Sequence, residues 1–179
     1  MSRPWIAFFS QTGSELLEVI KRTGNTPDGI VYNGKAEIPL EIARIADDSD
    51  TQIMWFPSEP APAHYEYICC KFDNPLITLH GWLRIVPESI CKQYEIYNGH
   101  PGLIVEHPEL KGKDPQKKAF DLKLKTSGCV IHKVIPEVDS GEIISVSTLD
   151  IENLELDDII HKLHDISIDM WVEFLGKQL

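Results

Sequence analysis

Trp5-Ile6-Ala7-Phe8-Phe9, Ser10-Gln11-Thr12-Gly13-Ser14, Glu15 to Thr23 and Asp28-Gly29-Ile30-Val31-Tyr32 are the successive pieces that decide the fold. The first is an unbroken apolar run, read as a strand buried on both faces. The second is a polar turn. The third sets Leu16, Leu17, Val19 and Ile20 at roughly helical spacing, and Gly24 stands where a helix stops. The fourth is another apolar run, closed by Asn33-Gly34. Strand, turn, helix, strand is the unit that builds a parallel sheet, because parallel neighbours need a crossover between them.

Working outward, the alternation continues. Pro39 to Ala46 reads as a helix and Gln52 to Phe56 as a strand. Pro57 to Pro62 holds three prolines and reads as a loop. Tyr65 to Phe72 reads as a helix, Leu76 to Leu79 as a strand, and Pro87 to Tyr94 as one or two helical turns. A further strand runs from Tyr94 and ends at Tyr97. Gly102 to Gly112 reads as a loop. Asp114 to Leu122 reads as a helix with Asp114 as N-cap and Pro115 at the first position. Cys129 to Ile135 and Glu142 to Leu149 read as strands, and Glu155 to Gly176 as a closing amphipathic helix. The expectation is an α/β fold: a single domain over residues 1–179, Rossmann-like, with a mostly parallel twisted sheet and helices on both faces. Ligands in such sheets sit at the carboxyl ends of strands. Ser10 to Ser14, His80 to Pro87 and Asn98 to Gly102 fall there.

The composition narrows the function. The 179 residues suit one domain, and 42% are hydrophobic, enough for a sizeable core. Acidic residues number 28 against 17 basic, a formal net charge of -11. That argues against a nucleic-acid or membrane-surface binder, which needs a basic face. The basic residues between Lys111 and Lys125 read as a solvated helix face or loop. Cys69, Cys70, Cys91 and Cys129 form no C-x-x-C pair, so neither a disulfide framework nor a metal site is expected. No twenty-residue apolar run occurs and the first residues carry no export signal, so a cytoplasmic location is expected.

The chemistry concentrates in Tyr97-Asn98-Gly99-His100-Pro101-Gly102. On an extended backbone Asn98 and His100 point the same way. A carboxylate from Glu137-Val138-Asp139-Ser140-Gly141 completes a set able to perform acyl transfer. The amide steadies an oxyanion, the imidazole handles protons, and the carboxylate orients and charges the imidazole.

Four blocks carry a family resemblance. They are Leu79-His-Gly-Trp-Leu-Arg-Ile-Val-Pro87, Asn98-Gly-His-Pro-Gly-Leu103, Leu110-Lys-Gly-Lys-Asp-Pro115, and Gly128-Cys-Val-Ile-His132 with Val138-Asp-Ser-Gly-Glu-Ile-Ile144. In that order and spacing the chain resembles the formyltransferase family that uses 10-formyltetrahydrofolate. The resemblance implies that Asn98, His100 and Asp139 are catalytic. It implies that Leu79 lines the pocket, that Arg84, Ile85 and Val86 cradle the pterin, and that Glu137 and Val138 close over its other side. It implies 10-formyltetrahydrofolate as formyl donor, no metal, and a small-molecule amine as partner, with or without a phosphate. Oligomeric state stays open, a homodimer included.

The acceptor half departs from the family. Ser10-Gln-Thr-Gly-Ser-Glu15 aligns with a glycine-rich loop that holds a phosphate in the glycinamide ribonucleotide enzymes. Gly13 and Ser14 match and are the candidate acceptor residues, whereas Gln11 and Glu15 do not match. The family glutamate that contacts the acceptor falls near Ser167. Methionyl-tRNA formylation is disfavoured by the acidity and by the expected lack of a further C-terminal domain. Glycinamide ribonucleotide is the default acceptor. An amino-sugar nucleotide or another amine, and a catalytically idle folate binder, are the alternatives. His132 reads as a packing residue, His80, Trp82, His107 and Lys111 as scaffold or surface, and Trp55 and Trp171 as core.

Overall fold

Hydrogen-bond pairing follows the hydrophobic runs. The structure, a computed structural model, describes residues 3–34 and 37–179. In chain order it runs β1 (Trp5–Phe9), α1 (Ser14–Thr23), β2 (Gly29–Tyr32), α2 (Leu40–Ser49), β3 (Gln52–Trp55), α3 (Pro62–Cys69), β4 (Leu76–Leu79), α4 (Glu88–Gln93), β5 (Glu95–His100), α5 (Pro115–Asp121), β6 (Thr126–Lys133), β7 (Ile143–Asp150) and α6 (Leu156–Gln178). The strands form a seven-stranded sheet in the order β3-β2-β1-β4-β5-β6-β7. The first five in that order are parallel, while β5-β6 and β6-β7 are antiparallel. The expected mostly parallel α/β sheet is therefore present.

Each face of the sheet has its own core. Trp5, Ala7 and Phe9 of β1 pack with Leu16, Val19 and Ile20 of α1 and with Trp171, Phe174 and Leu175 of α6. The alternate residues Ile6 and Phe8 pack with Tyr65 and Ile68 of α3 and Ile90 of α4. β1 is buried at every position, which is why it reads as a continuous apolar run rather than an alternating one.

Several local expectations are corrected. Asp114 stands at the N-cap of α5 with Pro115 after it, as expected, but its side chain makes no capping hydrogen bond and its backbone is left-handed (φ 55°). The third helix starts at Pro62, three residues before its expected start at Tyr65, because proline is tolerated in a first turn. Pro108–Leu110 forms a short 3-10 turn inside the expected loop. Trp55 is not core: β3 is the edge strand and this side chain is 61% exposed. Trp171 is fully buried, as expected.

Candidate active site

Extended backbone through β5 delivers the first two groups. Asn98 and His100 open onto one cleft. Gly99 between them faces the other way, toward α6. A Cβ there would lie 2.7 Å from Trp171 Nε1, so the glycine lets the last helix pack directly beneath the site. Leu79, at the end of β4, is the register partner of Asn98.

Asp139 arrives from the turn between β6 and β7. Its backbone is left-handed (φ 48°), a conformation aspartate tolerates better than most residues. Two residues on, a Cβ at Gly141 would meet Lys133 O at 1.8 Å, so the turn closes tightly against β6. The Gly112 N–H donates to Asp139 Oδ2 at 2.8 Å, and His100 Nδ1 lies 3.4 Å from the same oxygen. His100 Nε2 donates to the Leu110 carbonyl at 2.8 Å. The His100 and Asp139 side chains are 6% and 9% exposed.

These contacts set the charge states. Burial is the largest influence on His100 and holds it below the ordinary histidine range, against the opposing pull of Asp139 and the Leu110 carbonyl. Burial pushes Asp139 up, but the His132 hydrogen bond, the His100 charge and the Gly112 amide outweigh it. The carboxyl therefore sits below its usual range. With Nε2–H committed to Leu110, His100 Nδ1 is the nitrogen that faces the Asp139 carboxylate.

Sequence reading missed His132. It is the antiparallel register partner of Asn98, and its Nε2 lies 3.2 Å from both Asn98 Nδ2 and Asp139 Oδ1. It can accept from the amide or, carrying the proton, donate to the carboxylate. Its Nδ1 lies 2.9 Å from the Lys133 carbonyl. A register irregularity between Ile131 and His132 marks the spot where the ring is aimed. A polar residue within the apolar run of β6 was the available signal; the cross-strand partner was not visible in one dimension.

The cleft above these groups is about 760 Å³. Leu79, Trp82, Arg84, Ile85 and Val86 line one side, and Val134, Ile135, Pro136 and Val138 line another. Trp82, read as scaffold, is thus also part of the wall. Leu83, Ile85, Ile135 and Val138 are large apolar side chains 56%, 73%, 37% and 49% exposed, and all belong to this cleft. Arg84 carries a buried Nε without a hydrogen-bond partner among the described residues. Glu137 is exposed and lies outside the lining set. Lys111 reaches across to donate to Ser140 Oγ at 2.9 Å, and His107 pairs with Glu109 at 3.5 Å.

The candidate acceptor residues stand to one side. Gly13 is the N-cap of α1, left-handed (φ 67°), with Ile42 and Phe9 packed where a side chain would be. Ser14 Oγ lies 3.1 Å from Thr12 Oγ1 and 3.3 Å from His164 Nε2. Gln11 of the same loop lines the cleft, whereas Gly13 and Ser14 do not. The loop is tied to the β4 end by Ser10 N–H to Gly81 O at 3.3 Å and Leu83 N–H to Ser10 Oγ at 2.9 Å. Among the described residues no group of three or more His, Cys, Asp or Glu side chains is placed to hold a metal ion.

An open α/β sheet with amide, imidazole and carboxylate gathered at its carboxyl edge is an arrangement suited to acyl-type transfer. Residues 6–175 match the formyl transferase family, and the chain belongs to it. It is 40% identical over 80 residues to a phosphoribosylglycinamide formyltransferase of Dictyostelium discoideum, covering 38% of this chain and 37% of that one. It is 33% identical over 154 residues to a methionyl-tRNA formyltransferase of Thermotoga neapolitana, covering 84% of this chain and 48% of the relative. These matches thus span about a third to a half of the relatives' lengths. The crystal structure of phosphoribosylglycinamide formyltransferase from Anaplasma phagocytophilum superposes with a TM-score of 0.83 at 21% identity, over 97% of this chain and 85% of that one. At that identity the likeness shows the fold.

Proposed function

We propose that the protein transfers a formyl group from 10-formyltetrahydrofolate to a primary amine of a small molecule, with glycinamide ribonucleotide as the default acceptor. The observation that carries this reading is the convergence of Asn98, His100 and Asp139 at the base of a cleft walled by exposed apolar side chains. The cleft suits the donor. Its volume lies in the range of small-molecule sites. Ile85 and Val138 offer apolar surface to a flat ring system, and the Arg84 Nε has no partner among the described residues. The backbone from Arg84 to Val86 belongs to no helix or strand and runs along the wall of the cleft. In this reading Leu79, Arg84, Ile85, Val86 and Val138 hold the donor, and Glu137 flanks it. The phosphoribosylglycinamide formyltransferases among the relatives support the default acceptor.

When bound, the donor supplies the formyl group. The chain's residues supply charge stabilisation and a proton path. As an amine adds to a carbonyl, negative charge grows on oxygen, and the Asn98 Nδ2–H group is the neutral donor for it. The attacking nitrogen loses one proton and the departing nitrogen gains one. In this reading His100 Nδ1 carries that proton, since Nε2 donates to Leu110. A positive ring is then offset by Asp139 at 3.4 Å. One oriented donor of this kind is typically worth about 3 to 4 kcal/mol of barrier.

The test is turnover of 10-formyltetrahydrofolate, read as tetrahydrofolate released, with glycinamide ribonucleotide, with a panel of amino-sugar nucleotides, and with no acceptor. Release that needs an amine acceptor supports transfer. Folate binding without turnover on any acceptor would overturn it.

A further inference from the structure

A second polar cluster lies behind the loop from Ser10 to Ser14. Glu15, in the first turn of α1, turns inward: Oε1 is 3.0 Å from His80 Nδ1, and Oε2 accepts from Ser167 Oγ at 2.7 Å. Deeper still, Trp5 Nε1 donates to Thr78 Oγ1 at 2.7 Å, and Thr78 Oγ1 lies 2.9 Å from His80 Nε2. Thr78 accepts from Trp5 and can donate to His80 Nε2 while His80 Nδ1–H donates to Glu15, so each polar group from Trp5 to Glu15 has a partner. Burial pushes the Glu15 carboxyl up, but His80, Ser167 and His164 outweigh it and hold it below the usual carboxylate range. Its side chain is 18% exposed and that of His80 is fully buried.

This cluster changes what the neighbouring helix end can do. A helix N-terminus carries partial positive charge and free N–H groups, and an external anion normally settles there. In this chain the first turn of α1 already holds an anion of its own, fixed from two sides and unable to swing out without abandoning His80 and Ser167. A phosphate dianion on the loop above would sit beside that carboxylate. His164, near Ser14 Oγ, is the titratable neighbour able to offset it.

We propose that Glu15, locked by His80 and Ser167, is the specificity-determining residue on the acceptor side, and that it makes this site accept amines without reliance on a phosphomonoester at the Ser10 to Ser14 loop. The inference rests on the formyl-transfer reading of the Asn98 site and names the class of acceptor that site takes: a primary amine whose recognition does not need a phosphate.

The experiment compares kcat/KM for glycinamide ribonucleotide and for its dephosphorylated nucleoside, with 10-formyltetrahydrofolate as donor, in the wild type and in Glu15→Gln. The wild type should use the two acceptors within about tenfold of each other. Glu15→Gln keeps the shape and an acceptor oxygen but removes the charge, and should raise the phosphate preference about tenfold, mainly through KM. A wild-type preference for the ribonucleotide beyond a hundredfold would overturn the proposal, and that ratio decides alone should the variant fail to fold. Binding of inorganic phosphate, measured by calorimetry on both proteins, is independent of turnover. Tighter phosphate binding by Glu15→Gln supports the proposal, and equal binding overturns it. Absent turnover on both acceptors would count against formyl transfer, while the calorimetric arm would still decide the role of Glu15.

Discussion

At the residue scale the site depends on which nitrogen holds which proton. His100→Ala removes the group at Nδ1 without touching the apolar walls. It should lower kcat about 10²- to 10³-fold while leaving the affinity for a folate analogue within about threefold; an unchanged kcat would remove His100 from catalysis. His132 acts one step back. Its hydrogen bond is one reason the Asp139 carboxyl lies below its usual range. A depressed carboxyl is ionised above its folded-state pKa and loses its charge as pH falls through that value. In His132→Ala the pKa moves up, so the acid limb of kcat/KM should shift to higher pH. His132→Gln, which retains a donor, should restore part of the shift. A pH profile superposable on the wild type would leave His132 a packing residue, as its place in an apolar strand suggests. The convergence of Asn98, His100 and Asp139 on one cleft was legible because each is a reactive type in a motif. His132 and Glu15 were not, because their roles come from partners 34 and 65 residues away in sequence.

At the element scale two glycines show what the strands tolerate. At Gly99 an added methyl meets the edge of the Trp171 ring at 2.7 Å, while at Gly128 it meets the Ser147 backbone carbonyl at 2.1 Å. A side chain can yield where a ladder carbonyl cannot. Gly99→Ala should therefore cost about 1 to 3 kcal/mol, the usual range for overpacking, and Gly128→Ala more, measured by urea unfolding. Equal losses would mean that β6 and β7 separate more easily than their ladder implies. Strands β1, β2 and β4 were readable from apolar runs, since burial on both faces leaves few polar interruptions. Helix starts were less so: α3 begins at Pro62 rather than Tyr65, and Asp114 holds the N-cap position of α5 without a side-chain capping bond. Trp55 looked like core by composition, but a terminal position in the sheet is a property of strand order, which local sequence does not encode.

At the scale of the whole molecule the cleft stitches together distant parts of the chain. Its lining runs from Gln11, after the first strand, through the β4 and β5 ends, to Asp139 between the last two strands. A ligand seated there touches both the parallel half of the sheet and its antiparallel edge, so its binding energy has to be surrendered when the sheet as a whole comes apart. Saturation at a hundred times Kd adds about 2.7 kcal/mol to global stability. For a chain of this length each kcal/mol moves Tm by roughly 2 to 4 °C. A folate analogue that cannot transfer its group should therefore raise Tm by roughly 5 to 10 °C at that saturation, in a single transition. Ile85→Asp, which places a charge on the most exposed apolar wall residue, should abolish most of the rise while changing the ligand-free Tm little, since that side chain is 73% exposed. A full shift in Ile85→Asp would place the heterocycle elsewhere in the cleft, and a split transition would show that the two halves of the sheet melt apart.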